Sequence, residues 1–193
     1  SIPVHLITRE ALVWARMADQ PRMTARLLEN RVLNELMASK PNYKQILTDL
    51  DAADELHDQY DGNKAATVKT RALVLAKHGE REKALAQLER ARSLANPEYS
   101  VDYARFSFTA VEIYTELGLS AEAEKEAEKC IKALEKSGAS RTTAIIYRNL
   151  AEIFKNRGDK DRAIEFLLKA TSMFGLDSRL PNQTAPSIIG NKK

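Results

Sequence analysis

The chain is short of the residues that staple, kink or punctuate a fold. It has one cysteine, Cys130, in 193 residues. No disulfide can close within it, and no cluster of thiolates can hold zinc. A lone thiol fits a reducing, cytoplasmic setting. Six prolines and seven glycines are too few for a turn-rich β fold. Aromatic residues make up only 6%, so any core must be largely aliphatic. No stretch reaches the run of about 18 apolar residues that a membrane span needs. Charge of one sign is missing too. Thirty Lys and Arg stand against 27 Asp and Glu, for a formal net charge of +3. They are well mixed, and no basic run argues for nucleic acid. The opening Ser1-Ile2-Pro3-Val4-His5 lacks the parts of a secretory signal. A leading serine is expected where a piece has been trimmed from a longer protein.

What is abundant is Ala, Leu, Glu, Lys and Arg, the residues that favour helix by intrinsic propensity. The few glycines are regularly placed. Gly79, Gly118 and Gly158 lie 39 and 40 residues apart, and each is followed five residues later by an alanine: Ala84, Ala123 and Ala163. Such a period marks stacked helical hairpins. Amphipathic spacing predicts helices over 64–77, 81–95, 99–117, 120–137, 140–157 and 159–174. Glycines 79, 118, 138, 158 and 175 serve as stops, and Ser120, Ser140 and Asp159 as caps. Further back, Lys40-Pro41 takes the place of the turn glycine. Helices over 22–38 and 43–60 flank it, with Leu28, Val32, Leu33 and Leu36 on the buried stripe of the first. Residues 5–18 form another helix, expected to be the second half of a preceding hairpin. The gaps are short, so neighbours must run antiparallel.

The pattern resembles the tetratricopeptide repeat family. Tyr147, Leu150, Ala151, Phe154, Gly158, Ala163, Leu167 and Ala170 match its bulky, small, aromatic, glycine and alanine positions. Ser107, Ala110, Val111, Tyr114, Gly118, Ala123, Ala127 and Cys130 follow more loosely, as do Val68, Arg71, Ala72, Leu75, Gly79, Ala84, Leu88, Ala91 and Pro97. The repeats exceed the usual length of about 34 residues. The resemblance implies an all-α, right-handed α-solenoid of stacked antiparallel hairpins, with about four repeats. They would fill residues 1–175, with the first partial or degenerate and an irregular tail over 176–193, where Ile188 and Ile189 are the apolar residues.

The sequence offers no convincing catalytic cluster. His5, His57 and His78 fall on different hairpins. There is no glycine-rich phosphate loop, Gly-x-Ser-x-Gly or His-Glu-x-x-His. Cys130 sits at a small-residue packing position, where an inert buried thiol is expected. Asp49, Asp51, Asp54 and Glu55 read as a wet helix face, as does the charged run Glu122–Lys136. An enzyme is disfavoured, and no cofactor or metal is implied.

The resemblance implies instead a protein or peptide partner held on the concave face of the first helices. By register that face carries Asn30, Asn34, Lys69, Arg105, Phe108, Glu112, Arg148, Asn149 and Glu152. Asn amides can meet a peptide backbone, the cations a carboxylate, and Phe108 a flat group. Relatives that clamp a chaperone's acidic tail need a particular Lys and Asn set. Here Asn30 stands where that Lys is needed, or, one repeat on, Leu73 and Thr109 replace the Asn residues. That ligand is disfavoured. The alternative role is structural: self-association into a homo-oligomer through array ends, where Leu6, Leu12 and Trp14 need cover.

Overall fold

A computed structural model of the protein describes residues 4–59, 64–95 and 100–177. Among the described residues all regular structure is helical: α1 (Val4–Met17), α2 (Pro21–Leu36), α3 (Tyr43–Gln59), α4 (Ala65–Lys77), α5 (Arg81–Leu94), α6 (Ser100–Glu116), α7 (Ser120–Ser137), α8 (Arg141–Asn156) and α9 (Lys160–Asp177). Neighbouring helices pack in pairs, as an all-α repeat fold requires. The chain forms two compact units, Ser1–Lys136 and Ser137–Lys193.

The turn glycines do what their period implies. Gly79, Gly118, Gly138 and Gly158 all take positive φ, between 71° and 84°, where a Cβ is costly. At Gly79 the next residue's N–H returns to Leu75, and Glu80 O accepts from Ala84 N. The same two bonds recur around Gly118 and Gly158. They also recur between α1 and α2, where Asp19 takes φ 48° in the glycine's place. The α1–α2 turn thus shares the bonding of the turns at Gly79, Gly118 and Gly158. The Lys40-Pro41 break is a different loop: Asn42 Oδ1 caps α3 by accepting from Gln45 N, and Glu35 Oε1 accepts from Asn42 N.

Ser140 caps α8 by accepting from Thr143 N at 3.0 Å, and Asp159 accepts from Arg162 N. Ser120 is instead the first residue of α7. Gly175 is no stop, because α9 continues to Asp177. The tail expectation for Ile188 and Ile189 lies outside the described residues, as does the side chain of Leu6.

In the first unit, α4 is the middle helix, packing on α2, α3, α5 and α6. It is buried on nearly every side: Val68, Ala72, Leu73, Leu75 and Ala76 join Ala84, Leu88 and Ala91 of α5 and Phe106, Ala110 and Ile113 of α6 in one core. Small residues on α5 let the helices approach closely. In the second unit, Tyr147, Phe154 and Phe166 cluster, with ring centroids 5.9 Å and 5.4 Å apart around Phe166. The sequence pattern had Leu167 in that place, but Leu167 is 41% exposed and Phe166 buried.

Two expected wet faces are partly dry. Asp49 is buried and accepts from both Arg31 Nε and Nη2, and from Gln45 Nε2. Asp51 and Asp54 both pair with Arg71. In the charged run of α7, Glu126 is buried against Arg92 of α5 and Lys129. Asp49 and Glu126 each fall in the i, i+3, i+4 stripe of their helix's apolar residues, so the fold buries them and supplies a cation.

Candidate functional site

The helices α2, α4 and α6 lie side by side in the first unit, because hairpins repeated at 39 residues place like positions next to each other. Thr67 of α4 donates to Glu29 of α2 across 38 residues, and Lys77 of α4 pairs with Glu116 of α6 across 39. His57 of α3 also meets Glu29, at 3.2 Å. These contacts fix the register of a face running over the three first helices.

The face is a mixed surface. On α2, Asn30 and Asn34 are exposed. Around them lie Met23, Leu33 and Met37, exposed to 51%, 46% and 87%. Leu33 was expected in the core. It sits a helical step beyond Val32, which the core takes, and so points off the buried stripe. These three apolar residues are the ones sequence reasoning missed. They can supply desolvation to a partner that the Asn amides orient.

On α4 and α6 the charged residues gather. Lys69 and Glu112 are both half-buried, and Phe108 lies beside them on α6, with Arg105 exposed at the rim. Arg105 reaches Asp102 at 3.6 Å. Burial first, and the nearby Arg105 second, hold the Lys69 ammonium below its ordinary range, while Glu112, Glu29 and Asp102 oppose that. Burial pushes the Glu112 carboxyl up to about 7, against the pull of Lys77 and Lys69. Neither group makes an ion pair or hydrogen bond among the described residues, whereas Lys77 and Glu116, farther along the same two helices, are paired at 2.7 Å.

The remaining expected residues lie in the second unit. Arg148, Asn149 and Glu152 share one face of α8, and Glu152 pairs with Lys155. Six of the nine residues therefore fall on the first unit's face and three on α8. A separate cleft of about 360 Å³ lies among α1, α2 and α3, with Arg16, Thr24, Leu28, Glu55 and Leu56 in its lining. None of its residues belongs to α4 or α6. The described residues hold no group of three or more metal-ligating side chains.

The second unit decides what kind of repeat this is. Residues 144–174, spanning α8 and α9, match the tetratricopeptide repeat family model. That match and the helical hairpins fit a tetratricopeptide-like repeat protein. No curated protein matches it. Tetratricopeptide repeats generally mediate protein–protein interaction, and their all-helical fold is typically a non-catalytic scaffold. No helix among the described residues is long and apolar enough to cross a membrane.

Proposed function

We propose that this tetratricopeptide-like chain is a non-catalytic protein- or peptide-binding scaffold that uses its first-helix face. The observation that carries this reading is the open face of α2, where Met23, Leu33 and Met37 surround Asn30 and Asn34. Apolar anchors with orienting amides suit a peptide or helix better than a small molecule. Lys69, Arg105, Phe108 and Glu112 extend the surface over α4 and α6, and Arg148, Asn149 and Glu152 offer a second patch on α8. The long repeats resemble those of signalling regulators, and we place the protein as a cytoplasmic, regulatory segment of a larger signalling protein.

The test is affinity capture from the native source with wild-type chain and two variants. Leu33→Asp together with Met37→Asp should lose the partner, as should charge reversal of Lys69, Arg105 and Arg148. Capture that survives both sets of changes defeats the assignment of the face.

A second reading, self-association, is favoured by one feature of α1. Val13, Trp14 and Met17 are 52%, 68% and 73% exposed on the side turned away from Leu12 and Ala15, which are buried. A second copy would cover them. Sedimentation should then show a concentration-dependent dimer that Trp14→Glu dissolves. A monomer at high concentration rules this reading out.

A further inference from the structure

The exposed stripe of α2 is arranged symmetrically about one residue. Met23, Asn30 and Met37 recur every seven residues, a step that drifts only about 20° around a helix, so all three stay on one strip about 21 Å long. Arg26 and Leu33 flank Asn30 on one side of that strip, and all five residues are exposed. Ala25, Leu28 and Val32, on the far side of the helix, are buried. One helix thus gives one stripe to the core of its unit and keeps a second, with the seven-residue repeat of a helix-pairing seam. The amides of Asn30 and Asn34 and the guanidiniums of Arg22 and Arg26 make no hydrogen bond or ion pair among the described residues. The other three charges of α2 are taken up within the unit: Glu29 by His57 and Thr67, Arg31 by Asp49, and Glu35 by the Asn42 N–H.

We propose that this stripe pairs with the same stripe of a second copy, antiparallel, with a two-fold axis passing beside Asn30. This rests on the reading of the α2 face as a binding surface and names its occupant. The strip itself selects that occupant. Turned end for end about Asn30, it meets its own image: Met23 comes against Met37 of the other copy, and Asn30 against its equivalent. An amide carries both donors and an acceptor, so two Asn30 side chains can bond each other across the axis. A single asparagine in such a seam fixes register and direction, though it weakens the pair. Leu33 falls beside the stem of the other copy's Arg26, whose methylenes cover it while the guanidinium stays in water.

Charge selects the direction. Arg22 and Arg26 lie in the N-terminal half of α2, and its last turn holds no basic residue. In a parallel pair four guanidiniums would crowd together at the positive ends of two helices. In an antiparallel pair each copy's arginines lie beside the other's C-terminal carbonyls, which have no cation of their own on α2. A strip along one helix falls short of the roughly 800 Å² per partner of a standard interface. The dimer is therefore weak, with a dissociation constant on the order of 10–100 μM.

The experiment uses the full chain at about 5–500 μM, a range that brackets this constant. Sedimentation equilibrium reads association, and single added cysteines read the register, since the native Cys130 is buried. Leu33→Asp should weaken the dimer about tenfold or more, and Arg26→Glu about threefold. Asn30→Leu should tighten it about tenfold. Asn30→Cys should join to itself through a short bismaleimide. Met23→Cys and Met37→Cys should each fail alone and join when mixed. Met23→Cys joining to itself shows a parallel pair and overturns the proposal. So does a chain that stays monomeric at the highest concentration. If Trp14→Glu dissolves the dimer and Leu33→Asp does not, α1 holds the copies together and the α2 pair falls. A monomeric chain that captures its native partner through Leu33 and Met37 loses the pair and keeps the face. Capture indifferent to Leu33 and Met37, in a chain that dimerises through them, keeps the pair and leaves the face to a second copy alone.

Discussion

The Arg92–Glu126 pair allows a prediction in which the two halves of one interaction have unequal cost. Glu126 is only 3% exposed at its side chain, while Arg92 is 27% exposed. The two meet at 3.3 Å, Arg92 also donates to Tyr114 at 3.3 Å, and its guanidinium lies 5.5 Å from the Phe106 ring centre. Removing one partner of a buried pair typically costs about 3–5 kcal/mol, because the other charge is left without compensation. In Arg92→Met, Glu126 has nowhere to go. Lys129 at 3.0 Å remains, but it is itself half-exposed, so the loss should be about 2–3 kcal/mol. In Glu126→Met, by contrast, Arg92 can extend into solvent along its own stem, and the loss should be about 1 kcal/mol. Glu126 Oε1 finds no hydrogen-bond partner among the described residues even in the intact pair, so the native arrangement is not a strong one. The double variant should therefore be no worse than Glu126→Met, a coupling of about 2 kcal/mol in the cycle. Urea unfolding of the four proteins reads this directly. Equal losses for the two single variants, or additive losses in the double, would refute the reasoning.

Three further outcomes follow from the same geometry. Gly79→Ala should cost about 1 kcal/mol. A Cβ there meets nothing within 4 Å, so φ alone sets the cost, and Asp19→Gly should shift the unfolding midpoint the opposite way. Glu112 favours the folded state when protonated, since its folded midpoint of about 7 lies above the ordinary 4.5. The folded state holds the extra proton, so stability should fall by at most about 3 kcal/mol as pH rises from the lower value through the upper. Glu112→Gln should flatten that slope, and an unchanged slope contradicts the assignment. Burial pushes the Cys130 thiol up to about 12, and its Sγ donates to Ala104 O. A thiol reagent should modify it only at the rate of global unfolding, and rapid labelling of native protein would show the pocket to be open.

How much of this was readable beforehand depended on what the signal measured. Periodic glycines and alanines report backbone geometry, and they placed most helices to within a residue or two. They failed at Asp19, because aspartate tolerates a left-handed turn without announcing it. Apolar spacing reports a stripe but not its edges. Leu33 and Leu167 lie at the margin of their stripes, and packing by Val32 and Phe166 left them outside. Charge reports preference for water, and here it misled: Asp49 and Glu126 stand inside apolar stripes, which was the available clue to their burial. For the candidate site, the repeat register put Lys69, Arg105, Phe108 and Glu112 on the helices that are α4 and α6. It could not show that Lys77 and Glu116 pair while Lys69 and Glu112 do not, since that depends on how far each side chain reaches across the helix gap. The apolar half of the α2 face was hidden by the same marginal leucine.

The central claim is that partners meet the first helices, and one measurement tests it most directly. A photo-crosslinking amino acid is placed singly at Asn30, at Phe108, and at Glu128 on the exposed side of α7, and the native partner is irradiated with each. The account predicts adducts from Asn30 and Phe108 and none from Glu128. Adducts from Glu128 alone would contradict it.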